Sequence, residues 1–370
     1  MKNMPHYRGH YDRTLLFAVL MLLIIGVVMV YSSSSVVALT TYDDSAYFMK
    51  RQILSVIVGA VLMAITMRID YRLLSNRRVV LALVIISLLL VGMTLVPGIG
   101  KMVNGSRRWL RYGMLSFQPS ELAKFAFVVY MSYYIAKKGE RLCDFMNGLL
   151  PAYVMCGVFL GLAALQPDFG TAMTIAGVTI ILLFAGGGSL LQLGGTVLAV
   201  LPFVFFAVAH STYRLRRIFS FLDPWADPQG TGHQIIQSFI AFGSGGIFGR
   251  GLGESRQKFL FLPERHSDFI YAVIGEELGL IGALAVLLLF LIILWRGVRT
   301  ALATGDLFSR MLALGITLLV CLQGMINMSV VTGLLPTKGI VLPLVSYGGS
   351  SLVITMGAMG VLLNISREAH

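Results

Sequence analysis

Asp268 closes the charged run Pro263-Glu264-Arg265-His266-Ser267-Asp268, directly ahead of a long apolar stretch. A carboxylate at the lip of an aqueous cavity could take a proton from a sugar hydroxyl, the work of a general base. Ser267 is a good helix N-cap and would set Asp268 in the first turn, where the dipole favours an acid for structural reasons alone. The dipole would also lower its basicity, which a neighbour or partial burial would have to offset. Further acids lie inside or beside apolar blocks, where a charge costs about 2.5–3.5 kcal/mol to insert. Glu121 and Lys124 are three residues apart, close enough to neutralise each other on one helix face. Glu121 could equally belong to a capping box behind Pro119. Asp168, in Gln166-Pro167-Asp168-Phe169-Gly170-Thr171, is either a turn residue and N-cap or a site acid. Glu276 and Glu277 follow Asp268 by roughly 12–14 Å of helix, and one of them could face a polar interior.

Basic residues gather in two stretches. Arg107, Arg108 and Arg111 surround Trp109, and Arg214, Arg216 and Arg217 open a 58-residue segment, 210–267, that also holds Arg250, Arg256, Lys258 and Arg265. Guanidinium forks suit a phosphate or diphosphate, although a solvated basic face reads the same way. Within that segment Ile235, Ile236, Phe239 and Ile240 fall at helical spacing, opposite His233, Gln234, Gln237 and Ser238, which predicts an amphipathic helix in the membrane interface. The glycine-rich stretch 243–253 could bring N–H groups to an anion or form a flexible surface turn. No strand precedes it and no GK[ST] follows, so it is not a nucleotide P-loop. Near the end, 333–339 and 343–351 interrupt the last apolar block. Such a break is tolerated at membrane depth only where the freed backbone is buried or lines a polar cavity. The chain has no HExxH, GxSxG, EF-hand or Rossmann motif. Its six histidines and three cysteines show no metal-ligand spacing.

The elements that must position these groups are transmembrane helices. Of 370 residues, 57% are hydrophobic and only 12% charged, with a mean hydropathy of +0.83; soluble domains carry about 25% charged residues. Apolar blocks of about 20 residues predict an all-α integral membrane protein of about ten helices, at 14–37, 52–67, 79–96, 120–135, 149–165, 170–184, 190–209, 269–295, 307–330 and 340–363. The chain reads as one polytopic domain, 1–370, with 1–13 and 364–370 cytoplasmic and 210–267 a large, partly helical extracytoplasmic loop between helices seven and eight. With the N-terminus inside, Lys and Arg number 14 on each side, but the loops after helices three and seven hold 11 of the outer 14. Set those two loops aside and the inside excess upholds this orientation. Positive charge placed against that rule points to an anion site on the outer face.

Taken in order, Arg108-Trp109-Leu110, the stretch 117–124 (FQPSELAK), Gln166 to Thr171, Pro263 to Phe269, Glu276-Glu277-Leu278-Gly279 and 343–350 (PLVSYGGS) resemble the SEDS family of bacterial shape, elongation, division and sporulation proteins. The resemblance runs from about residue 14 to 366. Residues 336–339 (PTKG) and the pair Ser350-Ser351 look more like its FtsW division type than its RodA elongation type. The resemblance implies a peptidoglycan glycosyltransferase of the bacterial inner membrane, at the division septum. It would polymerise lipid II by inverting transfer, with release of undecaprenyl diphosphate. It places the essential carboxylate at Asp268. Arg108, Lys124, Arg214, Arg216 and Arg217 become candidates for the diphosphate, and Glu121, Asp168, Glu276 and Ser346 for further substrate contacts. A divalent cation, Mg2+ or Mn2+, is compatible with that chemistry, and no nucleotide is needed. The implied partners are a class B penicillin-binding protein and divisome membrane proteins, with no nucleic acid. A lipid II flippase and a non-catalytic scaffold for the transpeptidase are the rival readings.

Overall fold

The computed structural model describes residues 9–103, 106–112, 115–210, 212–230, 232–255 and 265–368. Each apolar block contributes a helix. In chain order these are α1 (Arg13–Tyr42), α2 (Tyr47–Thr66), α3 (Arg77–Leu95), α4 (Pro119–Lys138), α5 (Leu150–Leu165), α6 (Phe169–Ala185) and α7 (Leu190–Ala209). The long loop adds α8 (Thr212–Leu222) and α9 (His233–Gly245). Then come α10 (Ile270–Glu277), α11 (Gly279–Ala303), α12 (Leu307–Val331) and α13 (Gly349–Ser366). Short polar side chains start several of them, as orphan N–H groups require: Asp12 accepts from Leu15, Asn76 from Arg78, Asp168 from Thr171 and Asp306 from Ser309. Among the described residues, seven helices are long and apolar enough to cross a membrane: α1, α2, α3, α5 with the turn from Phe145, α11, α12 and α13. The mixed polarity of α4 fits its place inside, where it packs against α3 and α12. The α12 helix forms the core, with α4, α6 and α11 around it, while α2 pairs with α13. On the outside, Leu89 and Val154 stay exposed, as a lipid-facing surface demands.

Residues from both ends of the described chain meet at one face. Asp12 N–H donates to Ser366 Oγ at 3.1 Å, Arg296 Nε lies 2.6 Å from Asp12 Oδ2, and the Tyr71 hydroxyl donates to Glu368 Oε2 at 2.6 Å. A small antiparallel sheet stands among the helices, β1 (Gly100–Val103), β2 (Ser106–Tyr112) and β3 (Leu115–Phe117), paired in that order. The first basic stretch is therefore a strand hairpin, an addition to the all-helical expectation.

The eighth block is broken. Leu278 separates α10 from α11, and Gly279 takes a φ of +68°, a backbone state that glycine adopts without Cβ strain. The glycine-rich stretch splices the two halves. N–H groups of Arg250 and Gly251 donate to the carbonyls of Glu276 and Glu277, each at 3.0 Å, while Gly246 and Ile247 carbonyls accept from Leu280 and Ile281 at 2.9 and 3.2 Å. Two donors of the would-be anion nest are thus spent on helix ends. The α9 helix does not lie free in the interface: it packs against α10, Ile235 and Ile236 are buried, and Ser238, expected on the polar side, donates to the Val331 carbonyl at 2.5 Å.

The tenth block is interrupted, as 343–351 predicts, with the break beginning three residues earlier and ending before Gly349. Residues 340–348 are not helical, and α13 begins at Gly349. The apolar letters of this stretch signal burial rather than helix, and its freed backbone groups find other partners. Asn327 donates to the Ile340 carbonyl at 2.5 Å, Gln323 to Val341 at 3.2 Å, and Gln52 to Ser346 at 3.2 Å. Leu342 N–H donates to Ser346 Oγ at 2.8 Å. This re-entrant segment, 332–348, is the floor on which the site is laid.

Candidate active site

Asp268 lies in a turn ahead of α10, half-buried, with Phe269 in the cap position. It is therefore outside the first helical turn where capping by Ser267 would have put it. Tertiary bonds override the local preference. The Ser267 carbonyl accepts from Ser346 Oγ at 2.6 Å, the Asp268 carbonyl from Asn327 Nδ2 at 2.8 Å, and the His266 carbonyl from Tyr347 N–H at 2.9 Å. The turn is tied to the re-entrant segment instead of being wound into the helix. Gly339 passes so close that a Cβ there would come within 2.8 Å of Asp268 Oδ2. Any side chain at 339 would press on that carboxylate oxygen and push it aside.

Positive charge gathers along the same segment. Arg217, from α8, donates through Nη1 to the Thr337 carbonyl at 2.8 Å. Lys338 Nζ sits 3.7 Å from the centre of the Phe169 ring, a cation–π contact. Phe169 follows Asp168, which caps α6 by accepting from Thr171 N–H at 3.3 Å and Thr171 Oγ1 at 2.9 Å. Arg108, from β2, straps this turn: it donates to the carbonyls of Gln166 at 3.0 Å and Pro167 at 2.5 Å, with Nη1 3.8 Å from Asp168 Oδ1. Arg108, Asp168, Lys338, Arg217 and Asp268 are thus linked through residues 337–340. Here a carboxylate can draw off a proton while the fixed cations beside it stabilise a leaving anion.

Other expected residues fall elsewhere. Lys124 is buried beneath the segment, its ammonium 2.9 Å from Glu121 Oε1 and 2.6 Å from Gln323 Oε1. It forms the structural ion pair rather than a capping box, and a gap of about one water's size beside the pair reaches Pro343 and Thr355. Glu276 is buried and accepts from Ser244 Oγ at 3.3 Å and from Ser255 Oγ, so it knits α9 and the chain just past the glycine stretch to α10. Glu277 accepts from Ser32 of α1 at 2.6 and 2.7 Å. Ser346 works through the Asp268 turn, as above. Arg216 is exposed on α8; the Arg214 side chain, Arg256 and Lys258 lie outside the described residues. Sequence reasoning passed over Asn327, Gln323, Lys338 and Gly339. Asn327 and Gln323 lie four residues apart on one face of α12, a polar pair in an apolar helix, and that spacing was the available signal.

The family model described as cell cycle protein, covering FtsW, RodA and SpoVE, matches residues 13–370. The chain is 50% identical over 362 residues to the probable peptidoglycan glycosyltransferase FtsW of Trichlorobacter lovleyi, covering 98% of this chain and 94% of that one. It is 44% identical over 360 residues to the stage V sporulation protein E of Bacillus subtilis, covering 97% and 98%. Among solved structures it is similar to a chain of a peptidoglycan synthase complex in which polymerization and crosslinking are structurally coordinated, with a TM-score of 0.78, 31% identity and coverage of 97% and 98%. The rod shape determining protein RodA of Thermus thermophilus is similar at a TM-score of 0.68, with 26% identity and the same coverage.

Proposed function

The chain belongs to the FtsW/RodA/SpoVE family of cell cycle proteins, and from that premise we propose that it is a peptidoglycan glycosyltransferase that polymerises lipid II during septal wall synthesis. The observation that carries the reading is the half-buried Asp268 carboxylate against a re-entrant segment flanked by Arg217, Lys338 and Arg108. Asp268 accepts the proton of the acceptor sugar's 4-hydroxyl as that oxygen attacks the anomeric carbon of the growing strand. The configuration inverts, the bond to undecaprenyl diphosphate breaks, and the leaving diphosphate takes the electron pair. Arg217 and Lys338, with Arg108 at the rim, supply the positive field it enters. Lys124 and Glu121 support the floor from below. The donor's own diphosphate bond drives the reaction, so no nucleotide takes part.

Among the described residues no three His, Cys, Asp or Glu side chains converge as metal ligands. Mg2+ is usually held by one or two carboxylates together with substrate phosphates, so a divalent cation would enter this site with the lipid diphosphate. The Asp268 face is extracytoplasmic in this reading and the face joining residues 9–12 to 366–368 cytoplasmic, in the inner membrane at the septum. A class B penicillin-binding protein, working with other divisome membrane proteins, cross-links the new strand.

The test uses the purified protein with that partner, labelled lipid II and a divalent cation, and compares wild type with Asp268→Asn. Glycan ladders from wild type alone, at equal folding and lipid II binding, are expected. Ladders from both would remove Asp268 from catalysis. None from either, in an intact complex, would favour lipid II flipping or a scaffold instead.

A further inference from the structure

The end of the α1–α2 hairpin nearest Asp268 carries a row of flat side chains that the reaction above leaves unused. The Tyr42 ring stacks on Tyr47, with centres 3.9 Å apart and planes 7° from parallel. The Arg51 guanidinium lies 4.6 Å from the centre of the Tyr47 ring, and Tyr47 meets Phe48 edge-on at 5.3 Å. Tyr347 meets Phe48 edge-on at 5.2 Å and His266 at 5.7 Å, and Phe48 and His266 are 4.7 Å apart. The row therefore leads from Tyr42, 48% exposed, inward to His266, two residues from Asp268.

Interlocking of the hairpin with the Asp268 turn accounts for Phe48 and His266. Tyr42 also meets Phe48 edge-on at 5.8 Å, yet it keeps half its surface open while its ring is held parallel to Tyr47. Aromatic faces carry negative charge density and prefer C–H edges or faces of opposite character. A pyranose ring presents just such a face of axial C–H bonds, with hydroxyls around its rim. The guanidinium donors of Arg51 and the tyrosine hydroxyls, each able to donate and accept, match that rim. An acyl chain would instead strip water from Arg51 without replacing its hydrogen bonds.

We infer that this aromatic row is a subsite for the sugar rings of the growing glycan strand, holding the strand beside Asp268 between successive additions. The inference rests on the polymerase reading. It makes strand length, rather than the existence of strands, depend on Tyr42 and Tyr47.

The experiment measures strand-length distributions on gels at matched lipid II turnover for wild type, Tyr42→Ala, Tyr42→Phe and Tyr47→Leu in complex with the transpeptidase, with melting temperatures alongside. Tyr42→Ala and Tyr47→Leu should shorten the mean strand about fivefold, equivalent to about 1 kcal/mol of lost stacking at 1.4 kcal/mol per tenfold. Tyr42→Phe, which keeps the flat ring, should keep wild-type length. Strands of wild-type length from folded Tyr42→Ala and Tyr47→Leu would overturn the subsite and leave the polymerase reading standing. Equal shortening in Tyr42→Phe would overturn stacking as its basis. A wild type that makes no strands at all would remove the polymerase reading, and the subsite with it.

Discussion

Asn327 should govern the catalytic rate without touching substrate. Its Nδ2 donates to the Asp268 carbonyl at 2.8 Å and the Ile340 carbonyl at 2.5 Å, so one amide joins the base-bearing turn to the re-entrant segment. Asn327→Leu keeps the volume and strips both donors. Each carbonyl left unpaired in a buried setting costs about 1–3 kcal/mol. Part of that is recovered, because Asn327 Oδ1 is itself buried without a hydrogen-bond partner. A net loss of about 2–4 kcal/mol of local restraint remains. That is enough for the turn to drift by about 1 Å, and a misplacement of that size costs about 100-fold in rate, or about 2.7 kcal/mol at 1.36 kcal/mol per tenfold. The assay is steady-state strand synthesis on labelled lipid II, with kcat and KM resolved separately. The expected split is a kcat about 100-fold lower with KM within a few-fold of wild type, since the cations that meet diphosphate are held by other contacts. A folded Asn327→Leu protein with kcat within about twofold of wild type would refute the reasoning, because the carboxylate would then be held without this tie.

Gly339→Ala puts a methyl group 2.8 Å from Asp268 Oδ2 and should lower strand synthesis by about tenfold or more while leaving the melting temperature almost unchanged. Lys124→Met strands the buried Glu121 carboxylate and should destabilise the protein by about 3–5 kcal/mol. The double variant Glu121→Gln/Lys124→Met should recover most of that loss in detergent melting curves; equal melting of single and double variants would mean the pair contributes nothing. Glu276→Gln weakens the contacts with Ser244 and Ser255 and should lower stability by about 1–3 kcal/mol. Its activity per folded molecule should hold, whereas a raised KM for lipid II would restore Glu276 as a substrate contact.

The helices were legible because lipid demands long apolar runs and satisfied backbones, and the structure follows the ten blocks closely at most ends. Errors arose where an apolar run served burial in another conformation. Residues 340–342, just ahead of the break expected at 343–351, have the composition of a helix, yet the Ile340 and Val341 carbonyls accept from Asn327 and Gln323, and no local rule announces partners so far along the chain. Ser267 was misjudged for a related reason: a cap preference of about 1 kcal/mol competes with three tertiary bonds to the surrounding turn. The strands of 100–117 were hidden by brevity and by arginines on a ribbon with little core to bury. For the site, Asp268, Asp168, Arg108 and Arg217 were all named from type and spacing, and the fold links them. Lys338 and Gly339 were quoted only as letters in a helix break, because what matters about them is closeness to residues far away in sequence.

The splice at Leu278 has a consequence for how the chain can vary. Four backbone bonds pass between residues 246–251 and the two helix ends, so in hydrogen-bonding terms the glycine stretch is a splint belonging to the helix, although in sequence it belongs to a loop. Extra residues between Asp223 and Gly230 would lengthen an exposed connection at little cost. One extra residue between 246 and 251 would slide these donors and acceptors out of step and uncap both half-helices, while the turn that carries Asp268 would keep its own ties to Ser346, Tyr347 and Asn327. Within one loop, length is free on one side of α9 and fixed on the other.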